Sequence, residues 1–205
     1  MAGTWIDIPS SDGKTFQGYL AVPEAGFGPG IILLQEIFGV NGTMRDVADY
    51  YAEEGYVVLV PDLFWRFEPH IELGYGEEDF GKAFGYFQKF DVDQSIRDTA
   101  DALKVLRERP EQAGKVGALG FCLGGKLAYL TAARTDVDAA VCYYGVGLED
   151  ALDEAVSADE VRAQLVAKNR RLPEHKRVRG VLFVDEAFPR TASMKVKRQR
   201  LAEAL

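Results

Sequence analysis

Gly120-Phe121-Cys122-Leu123-Gly124 sets a cysteine between two glycines, in the pattern G-x-nucleophile-x-G. That pattern suits a nucleophile raised on a strained turn between a strand and a helix, where side chains at the glycine positions would clash. The following residue, Leu123, then has its backbone N–H at the positive start of a helix, where it can stabilise a thiolate and the oxyanion of a tetrahedral intermediate. A small core cysteine in a glycine turn would show the same letters. The context decides between them: KVGALGF before the turn reads as an apolar strand, and LGGKLAYLTAA after it reads as an amphipathic helix.

A cysteine nucleophile of this kind needs an acid and then a histidine, each supplied after it in the chain on loops that follow later strands. The chain contains two histidines. His70 precedes Cys122, in the loop PDLFWRFEPH, and reads as a loop histidine. His175 follows it, but in the basic connector RLPEHKRVRG before a strand rather than after one. Asp185 closes VLFVD in the manner of a triad acid, with no histidine after it. His175 and Asp185 are therefore weak candidates, because a general base must come within about 2.6–3.2 Å of the proton, or reach it through one water.

The elements that position Cys122 follow from periodicity. TWIDIPSSDGKTFQGYLAVPE alternates about Ser11-Asp12-Gly13 and predicts an antiparallel hairpin at one sheet edge. PGIILL and YVVLVPDLF predict buried parallel strands, with a helix between them from about Thr43 to Glu54 that ends at Gly55. A second helix is expected from Gln94 to Arg109, with Ile96, Leu103 and Leu106 on one face. VDAAVCYYGVG reads as one more central strand. The βαβα rhythm implies a mostly parallel sheet covered by helices.

QEIFGVN at residues 35 to 41, GFCLGG at 120 to 125 and YYGVG at 143 to 147 together resemble the dienelactone hydrolase family, in order and at similar spacing over nearly all of residues 1 to 150. The resemblance implies an α/β-hydrolase fold and a cysteine that attacks a lactone or ester carbonyl to give an acyl-enzyme, later released by water. Carried to this chain, it makes Cys122 the nucleophile and Glu36 the carboxylate that controls its ionisation. It assigns the oxyanion hole to the N–H groups of Ile37 and Leu123, with Gly120 and Gly124 as the turn glycines. Glu36 is also notable by itself, since a carboxylate at the C-terminal end of a buried strand needs pairing, and such sheets bind ligands at strand ends. Members of the family hold a substrate carboxylate through an arginine in the helix before FD. Here that stretch reads EEDFGKAFGYFQKFD, with Lys82 the only base near the place.

Beyond Asp150 the pattern changes. Residues 1–150 carry 12 Lys and Arg against 24 Asp and Glu, and residues 151–205 carry 12 against 8. LPEHKRVRGVLFVDEAFPRTASMKVKRQRL is similar to the end of the C-terminal subdomain of adenylate-forming enzymes, the acyl-CoA synthetase superfamily. There Lys195 would occupy the position of the lysine that stabilises the acyl-adenylate step, with Met194 in place of a usual glycine. That likeness implies no ligase activity, because the chain has no phosphate-binding glycine loop.

The expected architecture is thus an α/β-hydrolase-type, mostly parallel sheet over residues 1–150, incomplete at its C-terminal side, joined to a short foreign α/β tail over 151–205. A make-up of 47% hydrophobic and 27% charged residues fits a globular protein, and no apolar run reaches the roughly 20 residues of a membrane span. The N-terminus lacks a secretory pattern, which points to the cytoplasm. The expected partner is a small ester or lactone, with no metal, cofactor, nucleic acid or membrane; the oligomeric state stays open. Two functions are carried forward: an ester or lactone hydrolase of impaired turnover, and a catalytically silent binding or scaffold protein that keeps the pocket.

Overall fold

The computed structural model describes residues 3–148 and 151. The chain separates into two units, Met1–Val146 and Gly147–Leu205, and the elements below belong to the first. His175, Asp185 and Lys195, with the tail that carries them, lie outside the described residues.

Six strands form one mixed sheet: β1 (Thr4–Pro9), β2 (Thr15–Ala21), β3 (Gly28–Leu34), β4 (Val57–Pro61), β5 (Gln112–Phe121) and β6 (Ala139–Tyr143), in the order β1-β2-β4-β3-β5-β6. The β1–β2 hairpin is antiparallel and lies at the edge, as its alternation and its Ser11-Asp12-Gly13 turn imply. β4, β3, β5 and β6 run parallel to one another. Ile31 to Leu34 and Val57 to Val60 are all buried, which is what an unbroken apolar run must achieve when helices cover both faces of a sheet.

Alternation divides that core between the faces. Ile31, Leu33, Val58, Val60 and Leu119 pack with Met44, Ala48 and Ala52 of helix α1 (Gly42–Glu53). The opposite face, to which Gly30 and Ile32 turn, meets α3 (Val92–Glu108), so that a Cβ on Gly30 would touch Leu106. Helix α4 (Leu123–Arg134) lies beside α3, against β5 and β6, and α2 (Glu77–Lys89) precedes α3 in the chain. Helix α1 opens where Asn41 accepts a bond from Met44 N, and α3 opens where Asp91 accepts one from Gln94 N. The second cap begins α3 two residues before the expected Gln94.

One buried charge ties the outer pieces together. Asp98 on α3, 1% exposed, accepts bonds from Trp65 Nε1 at 3.0 Å, Arg66 Nε at 2.9 Å and Arg66 Nη2 at 2.7 Å, while Arg66 also reaches Asp12 in the hairpin turn at 2.7 Å. A carboxylate so deeply buried is tolerable only with such partners.

β6 forms a strand, as expected, and among the described residues it pairs with β5 alone, with Val141 and Tyr143 exposed. The apolar letters AAVCY identify a strand but carry no information about which strand lies next to it.

Candidate active site

The site is built by close approach of backbones at the C-terminal ends of β3, β5 and β6. Cys122 lies between β5 and α4 with φ 55° and ψ −117°, in the left-handed half of conformational space that L-residues avoid. The turn closes because the backbones of Gly120 and Gly124 nearly touch: a Cβ on Gly120 would overlap the Gly124 carbonyl. The Cys122 N–H donates to the Tyr143 carbonyl at 3.1 Å, and the Cys122 carbonyl accepts from Gly125 N at 3.0 Å and Val146 N at 3.2 Å. These bonds over-determine a conformation that costs of order 1–3 kcal/mol.

The same glycines bring the neighbouring strands to the sulfur. A Cβ on Gly124 would overlap the Leu34 carbonyl and lie 2.7 Å from the Gln35 carbonyl oxygen, so the start of α4 rests directly on the end of β3. A Cβ on Gly125 would overlap the Tyr143 carbonyl, so α4 also rests on the end of β6. Leu123 thereby opens its helix beside the residues that follow Leu34, and its N–H has no acceptor within the helix. Ile37, the other expected oxyanion donor, follows the same strand end and is buried.

Glu36 lies between two phenols. Tyr75 donates to Glu36 Oε2 at 3.1 Å and Tyr144 donates to Oε1 at 3.4 Å. Burial first, then the Glu36 carboxylate and the nearby Cys122, push the Tyr144 phenol above its ordinary range. Burial and Glu36 also raise Tyr75, against bonds from Thr43 and Asn41. Tyr144 thus joins the Glu36 carboxylate to the end of β6. Its ring also lies 6.1 Å from that of Phe121, which stacks on Tyr143 at 4.9 Å.

The loop after β3 is held by its own motif. Gln35 is fully buried and accepts from Leu63 N at 2.9 Å, and Asn41 donates to the Leu73 carbonyl at 2.8 Å while capping α1. Leu73 N donates to the Phe38 carbonyl at 2.9 Å, and Gly39 bridges Glu72. These bonds pin the 71–76 loop over the 36–41 loop and deliver Tyr75 to Glu36. Sequence reasoning missed Tyr75 and Tyr144. The YYGVG motif contained a signal for Tyr144, whereas nothing local marks Tyr75.

His70 is not at this site. Its Nε2 lies 2.8 Å from Gln17 Oε1 on β2, its ring packs edge-on against Trp5 on β1 at 4.3 Å, and its N–H donates to Asp62. Strands β4 and β3 separate β2 from the β5 end that carries Cys122. Among the described residues no group of three His, Cys, Asp or Glu side chains converges as metal ligands, and no helix is long and apolar enough to cross a membrane.

Comparison with known proteins places these observations. Residues 16–169 match the model of the dienelactone hydrolase family. The carboxymethylenebutenolidase of Pseudomonas putida is 42% identical over 148 residues, which cover 72% of this chain and 63% of that protein. Carboxymethylenebutenolidase 1 of Cupriavidus pinatubonensis is 35% identical, over 73% of this chain and 64% of the relative. A solved structure named m3DLH is 26% identical with a TM-score of 0.57, over 83% of this chain and 78% of that one. The chain therefore spans a little under two thirds of the length of the curated relatives just given.

Proposed function

Because the chain belongs to the dienelactone hydrolase family, we propose that it is an ester or lactone hydrolase in which Cys122 is the nucleophile. The observation that carries this is the strained Cys122 turn set against the end of β3, the strand that Glu36 follows in the chain. The thiol releases its proton to water, and the sulfur attacks the carbonyl carbon. The C–S bond forms as the carbonyl electrons move to oxygen, where the N–H groups of Ile37 and Leu123 receive the charge. Collapse of the intermediate breaks the C–O bond, the alkoxide takes a proton from water, and a thioester remains. Water then cleaves the thioester to a carboxylic acid and regenerates the thiol.

The second half of this cycle is the more demanding one. Acylation by a thiolate proceeds without a base, but hydrolysis of a thioester needs an activated water, and loss of a triad member commonly costs several powers of ten. The histidine among the described residues, His70, is committed to β1 and β2. That observation also favours the second reading, a silent binding protein that keeps the pocket. His175 and Asp185 are retained as candidates for the base and the acid. The stretch around Lys195, with its likeness to adenylate-forming enzymes, adds no step.

The test is p-nitrophenyl acetate with the wild-type chain and Cys122→Ala. The expected result is a burst of about one equivalent of p-nitrophenol per chain and an acetyl adduct on Cys122, followed by slow turnover, all lost in the variant. A single acylation with no turnover supports the silent reading. Equal hydrolysis by both proteins, with no adduct, overturns the assignment of Cys122.

A further inference from the structure

The wall beside Glu36 is aromatic, and its acidic groups outnumber its bases. Phe38 packs on Tyr75 with ring centroids 4.6 Å apart and on Phe80 of α2 at 6.3 Å. Tyr75 and Phe80 remain 56% and 40% exposed, so this row of rings presents apolar surface running outward from Glu36. The acidic groups along it are Glu36 itself and Glu77, Glu78 and Asp79, which open α2. Two bases belong to the wall. Arg45 is paired with Glu72 at 2.6 Å and donates to the Val40 carbonyl at 2.8 Å, and Lys82 is paired with Glu78 at 2.8 Å and approaches Asp79 at 3.7 Å.

We infer that this wall selects an uncharged, aromatic or otherwise apolar substituent on the ester and rejects an anionic one. The inference rests on the reading of Cys122 as nucleophile. Lys82 occupies the helix in which the family resemblance expects a base for a substrate carboxylate, but it is half-exposed and stands beside Glu78 and Asp79 of its own helix, which offset its charge. A substrate carboxylate arriving there would meet a wall on which Glu36, Glu77, Glu78 and Asp79 outweigh Arg45 and Lys82. A neutral aryl group would instead cover exposed ring surface, with the edge-to-face and offset contacts that aromatic pairs prefer.

Thiol alkylation tests the wall without requiring hydrolysis. In a Cys142→Ser background, the rate at Cys122 is measured by peptide mass for N-benzyl iodoacetamide, iodoacetamide and iodoacetate, each divided by its rate with glutathione. In every case the sulfur attacks the methylene carbon and iodide leaves. Relative to glutathione, iodoacetate should be slower than iodoacetamide by about tenfold, the effect of one like charge at a partly solvated site. The benzyl reagent should be faster than iodoacetamide, and Phe80→Ala should lower that advantage by about two- to tenfold, the range of one aromatic contact. Phe80→Arg should speed iodoacetate selectively.

Iodoacetate labelling as fast as iodoacetamide, or a benzyl advantage untouched by Phe80→Ala, overturns the inference. So does preferential iodoacetate labelling abolished by Lys126→Ala, which would assign anion recruitment to the first turn of α4. Retention of the neutral aromatic preference in a chain that hydrolyses no ester would leave the wall's selectivity standing and overturn the hydrolase reading alone.

Discussion

Gly124→Ala is the sharpest perturbation of the way this site is assembled. The added Cβ would overlap the Leu34 carbonyl and lie 2.7 Å from the Gln35 carbonyl oxygen, both backbone atoms. Leu34 cannot retreat easily, because it is in register with Gly120 on the neighbouring parallel strand. The start of α4 must move instead, by about 1 Å to restore ordinary contact, given that carbon and oxygen surfaces meet beyond about 3 Å. Overpacking of this kind costs about 1–3 kcal/mol, and Gly124 stands in the first turn of α4, where the helix-interior advantage of alanine does not offset it. A loss of that size is within the stability of an ordinary domain and leaves a folded protein. The functional loss should be larger, because an oxyanion donor works only at about 2.7–3.1 Å and removal of one costs about 100- to 1,000-fold. The assay is the single-turnover rate of Cys122 acylation by p-nitrophenyl acetate, with the urea midpoint measured in parallel. Gly81→Ala is the control: Gly81 lies inside α2 with nothing within 4 Å of an added Cβ, and this change should stabilise by about 1 kcal/mol without altering acylation. Wild-type acylation by folded Gly124→Ala would refute the argument that backbone contact between α4 and β3 positions the donors.

Three further outcomes follow from named contacts. In a difference absorbance titration against Tyr144→Phe, the Tyr144 phenol should ionise above the usual value near 10, and Glu36→Gln should bring it partly back, since burial, the largest single cause of the shift, remains. Asp98→Ala removes the acceptor of Trp65 and Arg66 and should destabilise the fold by about 3–5 kcal/mol in urea unfolding, with Asp98→Asn milder because it keeps an oxygen acceptor. Asp12 is held down to about 2 chiefly by its hydrogen bond from Arg66. A folded-state value below the unfolded one means that its contribution is complete above about pH 4 and is lost as pH falls through 2. The stabilities of wild type and Asp12→Asn, measured by urea unfolding from pH 5 down to pH 2, should therefore converge as the pH falls.

The parts of this site that were legible in the sequence are those whose chemistry is local. Unbroken apolar letters at Ile31–Leu34 required burial on both faces of a sheet, and the 3.6-residue spacing of Ile96, Leu103 and Leu106 required one buried helix face; all seven side chains are buried. The elbow was legible because a strand, a tight turn and a helix are consecutive in the chain, so that Gly120 and Gly124 report their contact within five residues. β6 shows the boundary of that logic. Its apolar letters fix a strand, but position in a sheet depends on a partner elsewhere, and among the described residues that partner is β5 alone.

Tyr75 and Phe38 lie beyond the boundary. They meet because Asn41 reaches the Leu73 carbonyl and Gly39 bridges Glu72, contacts that span more than 30 residues and have no periodic signature. Tyr144 is intermediate, since YYGVG marks the place while the close approach of Gly125 to the β6 end determines where the phenol points. The consequence is chemical. The groups proposed to carry the reaction, Cys122 and Glu36, sit on short-range motifs at strand ends, whereas the rings that would meet a substrate arrive on two loops locked by long-range hydrogen bonds. Substitutions in those loops can therefore change what the site admits while leaving the nucleophile's turn intact.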